Sequence, residues 1–294
     1  MSLSKYIQSP ELLENIKEKT TAELRAQVLH RGNQWYSENP HEADLITDNL
    51  RKLDIPFTPE LLEKIKTNII LHYYEKLLPL CGSVEKYHSF LKSSVDCEEA
   101  VKTLRLSVDS GRGMLLSVAH FGAVELLSPS LSAHGFRLNA ALRFTTEQFS
   151  RMAEKQSKAM EESGLFSQIR FIEIGKPGTS AALDMAAALR RKEVLISVFD
   201  EETPYSKPVS LFRKTVLGGS GLDKLLTFVN APVDAFTAFM IREGDDRYRL
   251  ELLKLPDNSG AMLQSMYHHL ETMVKRACEQ WYFLHEEIPF AENV

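Results

Sequence analysis

The chain has 294 residues, 44% of them hydrophobic and 26% charged, with a net charge of −5 at pH 7. That is enough apolar material for one large domain, or a core with a helical appendage, and the negative balance counts against a nucleic-acid binder driven by phosphate contacts. Three cysteines (Cys81, Cys97, Cys278) without CxxC spacing point to reduced thiols in a cytosol, not to a disulfide framework or a thiol nucleophile.

In chain order, the opening MSLSKYIQSPELLENIKEKTT has no apolar h-region, and no later window approaches the run of roughly 18 apolar residues that a spanning helix needs. Residues 10–104 read as helical. Pro10 and Glu11 open a segment with Leu12, Leu13, Ile16, Leu24, Val28 and Leu29 near helical spacing. Thr58 and Pro59 form a second start signal, N-cap then first turn, and Leu61, Leu62, Ile65, Ile69, Ile70 and Tyr73 mark the face that follows. From about residue 105 the pattern changes to short apolar runs that alternate with helical stretches. Strands are predicted at 113–119, 138–142, 170–174, 194–199, 233–241 and 248–253, and helices at 124–133, 146–163, 179–191 and 222–229. The short link at Asp245-Asp246 predicts an antiparallel hairpin, and 261–284 predicts one long amphipathic helix running into Trp281-Tyr282-Phe283. This alternation implies an α/β fold with a mostly parallel central sheet flanked by helices, residues 105–294, and a helical N-terminal region, 1–104, packed on it as one compact unit.

The segment with most chemistry is GRGMLLSVAHFGAVE, residues 111–125. A glycine turn leads into an apolar strand that ends on His120, and Glu125 follows at the start of the next helix. A carboxylate on one ring nitrogen fixes the tautomer and leaves the other nitrogen free to take a hydroxyl or amine proton, so His120 is a candidate general base with Glu125 as its orienting partner. The plainer alternatives are a packed strand-end histidine and a carboxylate placed to suit a helix dipole. Backbone N–H groups near Phe121 and Gly122 are candidates for an oxyanion, with Gly122 allowing close approach. No HExxH, Walker or GxSxG pattern is present, which sets aside a zinc hydrolase, a P-loop and a serine-hydrolase elbow. Arg190, Arg191, Lys192, Lys207, Arg213 and Lys214 crowd one stretch, either as solvated charge or as a docking patch for an acidic carrier, a coenzyme A phosphate or an anionic membrane. The C-terminal Trp281, Tyr282 and Phe283 read as core anchors, or as the lining of an acyl pocket.

His120-Phe-Gly-Ala-Val-Glu125 resembles the HxxxxE motif of the lipid A biosynthesis acyltransferases, the lauroyl and myristoyl transferases of the wider lysophospholipid acyltransferase superfamily. Further blocks resemble that family in order: GRGMLLSVAHFG, VLISVFD ending on Asp200, the glycines at 218–221 leading to Asn230-Ala-Pro-Val233, Arg247-Tyr-Arg-Leu250 and Glu279-Gln-Trp-Tyr-Phe-Leu-His285. The resemblance spans about residues 30–287. It implies a glycerolipid acyltransferase-like fold and transfer of an acyl group from acyl carrier protein or coenzyme A to a hydroxyl or amine. It makes His120 the base and Glu125 its partner, places Arg143 where an acceptor or donor anion is steadied, and gives Asp200 a place holding Arg143 or the site loop. No cofactor beyond the thioester co-substrate, and no metal, is implied. The chain departs from the family in lacking its P-x-x-N after Arg143, its leading spanning helix and its basic face. The departures favour a cytoplasmic or peripheral enzyme with a small-molecule, lipid or carrier-bound acceptor. An aminoacyl or other activated-ester donor, or a non-catalytic acyl-chain or carrier-binding protein on the same scaffold, are the alternatives.

Overall fold

A computed structural model describes residues 2–143, 147–175, 180–203, 206–219, 221–257 and 259–291. Six helices come first: α1 (Leu3–Ile7), α2 (Pro10–Glu14), α3 (Thr21–Glu38), α4 (Glu42–Lys52), α5 (Pro59–Leu77) and α6 (Val84–Ser94). Their starts are written in the sequence. Thr20 and Glu23 close a reciprocal capping box on α3, and the Thr58 hydroxyl accepts from the Leu61 N–H ahead of Pro59 on α5. The long face of α5 buries Ile65, Ile69, Ile70 and Tyr73.

The rest of the chain builds the sheet and its cover: β1 (Val95–Asp96), α7 (Glu98–Asp109), β2 (Gly113–Gly122), α8 (Leu127–Ala133), β3 (Leu138–Leu142), α9 (Glu147–Glu162), β4 (Ile169–Glu173), α10 (Ala181–Arg190), β5 (Val194–Val198), β6 (Ser206–Leu211), β7 (Lys214–Gly219), α11 (Gly221–Val229), β8 (Val233–Gly244), β9 (Arg247–Lys254) and α12 (Ser259–Ala277). The seven-stranded sheet has the order β1-β9-β8-β2-β5-β3-β4. β8, β2, β5, β3 and β4 run parallel, while β9 turns back antiparallel on β8 and carries β1 parallel to itself. The protein is therefore α/β with a mostly parallel mixed sheet. β2 and β5 are almost continuous buried apolar runs, as strands covered on both faces must be.

Two expectations need correction, and one further element, a hairpin, was not anticipated. The segment 1–104 is not wholly helical, because Val95 and Asp96 pair with Tyr248 and Arg249 at the sheet edge. The region after Asp200 holds a hairpin, β6–β7, whose turn places Phe212 and Arg213 at φ 50° and 60°, a left-handed pair that normally calls for Asn-Gly. The C-terminal helix ends at Ala277, not 284. Beyond it the chain makes short 3-10 turns at Cys278–Gln280 and Tyr282–His285, and between them the Trp281 backbone bridges to Phe121 of β2. Among the described residues no helix is long and apolar enough to cross a membrane.

Candidate functional site

β2 lies mid-sheet. From it the chain leaves towards β3 on one side, and it later returns through β5 to β8 on the other. Crevices outside the carboxyl ends of strands at such reversals are where open α/β sheets bind ligands. The β2–β5 ladder runs to Val118 and Val198, and the Phe199 N–H still donates to the Val118 carbonyl, 3.0 Å. One step further, the side chain of Asp200 replaces the ladder. Its Oδ2 accepts the His120 backbone N–H at 2.8 Å, and its Oδ1 lies 2.9 Å from His120 Nδ1. Asp200 is sealed, 2% exposed in its side chain, whereas the His120 side chain is 21% exposed. The grip on both backbone and ring assigns the proton to Nδ1 and leaves Nε2 as the outward, reactive nitrogen.

This corrects the partner expected for His120. Its orienting carboxylate is Asp200, not Glu125. The reason lies in Gly122, which has φ +62° and packs so closely on β8 that a Cβ would come 2.0 Å from the Met240 carbonyl oxygen. The Ala123 N–H then donates to that same oxygen at 2.7 Å. The chain is thereby swung towards α5, and Glu125, in the 3-10 turn Val124–Leu126, faces His72 Nε2 at 3.5 Å and Lys76 Nζ at 4.0 Å. The Phe121 ring is buried edge-on against Phe239, and Gly122 has no room for a Cβ against Met240. The N–H groups of His120 and Ala123 are both engaged within the protein, so neither is an oxyanion donor. Arg143 is exposed just past β3, with β5 between its strand and β2. Asp200 gives both its oxygens to His120, and no Arg143–Asp200 ion pair is found among the described residues. Phe144-Thr145-Thr146, where the P-x-x-N departure falls, lies outside the described residues.

The basic stretch divides. Arg190, Arg191 and Lys192 sit at the start of β5, the sheet edge opposite His120: Arg190 donates to the Val229 carbonyl and Arg191 pairs with Glu193. Lys214 pairs with Asp54.

The other walls of the site are Glu201, which sequence reasoning passed over, and Tyr282 and Phe283, which it read as core anchors or the lining of an acyl pocket. Glu201, half exposed, places Oε1 3.5 Å from His120 Nε2. Phe283 stands edge-on to the imidazole at 5.0 Å and Tyr282 is tilted over it at 6.2 Å. The Tyr282 hydroxyl is 2.7 Å from that of Tyr73, and its ring lies 4.5 Å from His72. Asn49 of α4 donates to the carbonyls of Leu284 and Glu286, which fastens this aromatic segment from outside. A signal for the His120–Asp200 pair was present: two buried apolar runs each stop on a polar residue, and in adjacent parallel strands those ends meet. His72 gave none, being one polar residue inside a long apolar helix face.

Burial alone would lower the His120 imidazole. The charge of Asp200 and its hydrogen bond, with Glu201 and Glu125 behind them, outweigh that and raise it to about 9. His72 goes the other way: burial first, then the nearby charges of Lys76, His120 and Arg242, hold it well below the ordinary histidine value. Burial likewise brings His285 down to about 4. One cationic imidazole thus stands beside two neutral ones.

A cavity of about 570 Å³ opens elsewhere, between α6, α7 and β9, and does not include His120. Cys97 Sγ lies 3.2 Å from His134 Nε2 on its wall. Burial raises the thiol and lowers the imidazole, so the pair is neutral and not a thiolate nucleophile. Among the described residues no group of three or more His, Cys, Asp or Glu side chains is placed to hold a metal ion. No protein-family model and no curated protein matches the chain.

Proposed function

We propose that this chain is an acyltransferase that moves an acyl group from a carrier thioester, on acyl carrier protein or coenzyme A, to a hydroxyl or amine. The single observation that carries the reading is the double grip of Asp200 on His120, at 2.8 and 2.9 Å, at the carboxyl edge of the sheet. The block order that resembles the lipid A biosynthesis acyltransferases supports it, and a mostly parallel sheet flanked by helices is compatible with the glycerolipid acyltransferase-like fold that the resemblance implies. In the proposed step, neutral His120 Nε2 takes the acceptor's proton as the acceptor oxygen or nitrogen attacks the thioester carbonyl. Asp200 stabilises the imidazolium that forms. The tetrahedral adduct collapses, the C–S bond breaks, and the leaving thiolate takes the proton back from Nε2. Tyr282 and Phe283 shield the ring, which strengthens the Asp200–His120 attraction. The thioester is the co-substrate, and the reaction runs in the cytoplasm or against the inner face of a membrane.

The test is release of free thiol from a panel of acyl-coenzyme A and acyl-carrier-protein donors, with intact-mass detection, by the native chain and by His120→Ala. Release on at least one donor that is lost in a folded His120→Ala supports the reading. Equal release by both proteins removes His120 from the chemistry and overturns it.

A further inference from the structure

The charges around His120 do not balance. From the segment just after β5 come Asp200 and Glu201, from the turn after β2 comes Glu125, and from the C-terminal segment comes Glu286, whose carboxyl burial holds above the usual range despite the opposing charge of His120. Against them α5 supplies Lys76, 4.0 Å from Glu125, while His72 and His285 are neutral. Arg242, the other nearby cation, is bound by Glu75, so in the resting site His120 is the second cation facing these carboxylates, shared between Asp200 and Glu201. A general base must be neutral to act. When His120 gives up its proton, Asp200 keeps the Nδ1 hydrogen bond, but Glu201 loses the one ion-pair partner it has among the described residues.

Resting on the acyl-transfer reading, we infer that the acceptor is a primary amine, which docks as its ammonium on Glu201 beside His120 Nε2 and is acylated to an amide. A hydroxyl acceptor brings no charge to this place and leaves Glu201 unmatched next to a neutral imidazole. An ammonium takes over the cation's position and, by its own charge, drives the proton off His120. The site itself is the His120–Asp200 pair, and the surrounding carboxylates decide what it accepts. The balance is complete. The ammonium loses one proton to water by way of half-exposed Glu201, and the free amine attacks the thioester carbon to form the C–N bond. His120 Nε2 takes a proton from the nitrogen of the adduct. The C–S bond then breaks and that proton goes to the thiolate; as the amide leaves, His120 takes back from water the proton it had lost, so the cycle yields amide, thiol and one proton in solvent.

The test reads His120 directly, without turnover. In full-length protein with carbon-labelled histidine, the His120 ring resonance, assigned with His120→Gln, is titrated alone, with n-hexylammonium chloride and with hexanol. The ammonium should weaken proton affinity at His120 about tenfold, one pH unit. Hexanol should leave it in place, and in Glu201→Gln the ammonium effect should vanish. A titration unmoved by the ammonium, moved equally by hexanol, or still moved in Glu201→Gln overturns the inference. Turnover gives a second reading: with aminohexanol as acceptor the product should be the alkali-stable amide, and an ester product overturns the inference while leaving acyl transfer standing. Failure of acyl transfer itself shows elsewhere, as thiol release unchanged in His120→Ala.

Discussion

At the scale of single residues, His120 and two carboxylates make the sharpest distinction. Asp200 bonds the ring at 2.9 Å and the backbone at 2.8 Å, while Glu125 acts on His120 only as a more distant charge. Asp200→Asn should therefore cut thiol release by about 100- to 10,000-fold, the range expected when a general base loses its orientation. Glu125→Gln should stay within about tenfold of the native rate. The same pair of variants separates in the ring titration: without Asp200, burial acts against only Glu201 and Glu125 and His120 falls well below its native value, whereas without Glu125 the value stays high. Equal effects of the two substitutions on rate would contradict the assignment. The sequence made His120 legible, since a buried apolar run ending on histidine is visible in one dimension. The identity of its partner was not, because sequence distance favours Glu125, five positions on, over Asp200, eighty positions away. Strand adjacency reverses that order.

At the scale of elements, the turn after β2 decides which side of the molecule each carboxylate serves. Gly122 holds a left-handed backbone against β8 with no room for a Cβ. Gly122→Ala should cost about 2–5 kcal/mol, from the backbone conformation and the clash together, and should displace Glu125 from His72. Urea denaturation checks the first, and the ring resonance of His72 the second. A variant within ~0.5 kcal/mol of native would show that the turn is not under this constraint. Helix starts and the buried strands were readable because capping residues and apolar runs are local signals. The β6–β7 turn and the end of α12 were not. Phe212 and Arg213 carry no turn signature, and their hairpin is fixed instead by Glu271, which accepts the Phe212 N–H at 2.8 Å, and by Gln264, which pairs with Ser210. α12 stops where Trp281 finds a backbone partner in β2, a contact between residues far apart in sequence.

At the scale of the whole molecule, the N-terminal helices are built into the sheet and its site. Glu75 of α5 grips Arg242 of β8 through two bonds of 2.6 Å, with both side chains buried, and Gln280 closes on the backbone of Arg242 from the C-terminal segment. α5 thus joins His72, β8 and the aromatic wall over His120. Breaking one side of such a pair strands a buried charge, so Arg242→Met should cost about 3–5 kcal/mol. Adding Glu75→Met should recover part of the loss, and simple additivity of the two substitutions in denaturation midpoints would contradict this. The same connection explains why composition could suggest a helical appendage but not its role: the contacts that make α4 and α5 part of the site are all long-range.

The most direct test of the central claim, that His120 held by Asp200 is the base of an acyl transfer, is the pH dependence of kcat/KM for thiol release. With the imidazole raised to about 9, the base form is scarce at neutral pH. The native rate should therefore climb close to tenfold per pH unit and level off near 9. In Asp200→Asn the rise should move to the acid side and the plateau should fall. A native profile flat from neutral to alkaline pH, or one unchanged by Asp200→Asn, would contradict the account.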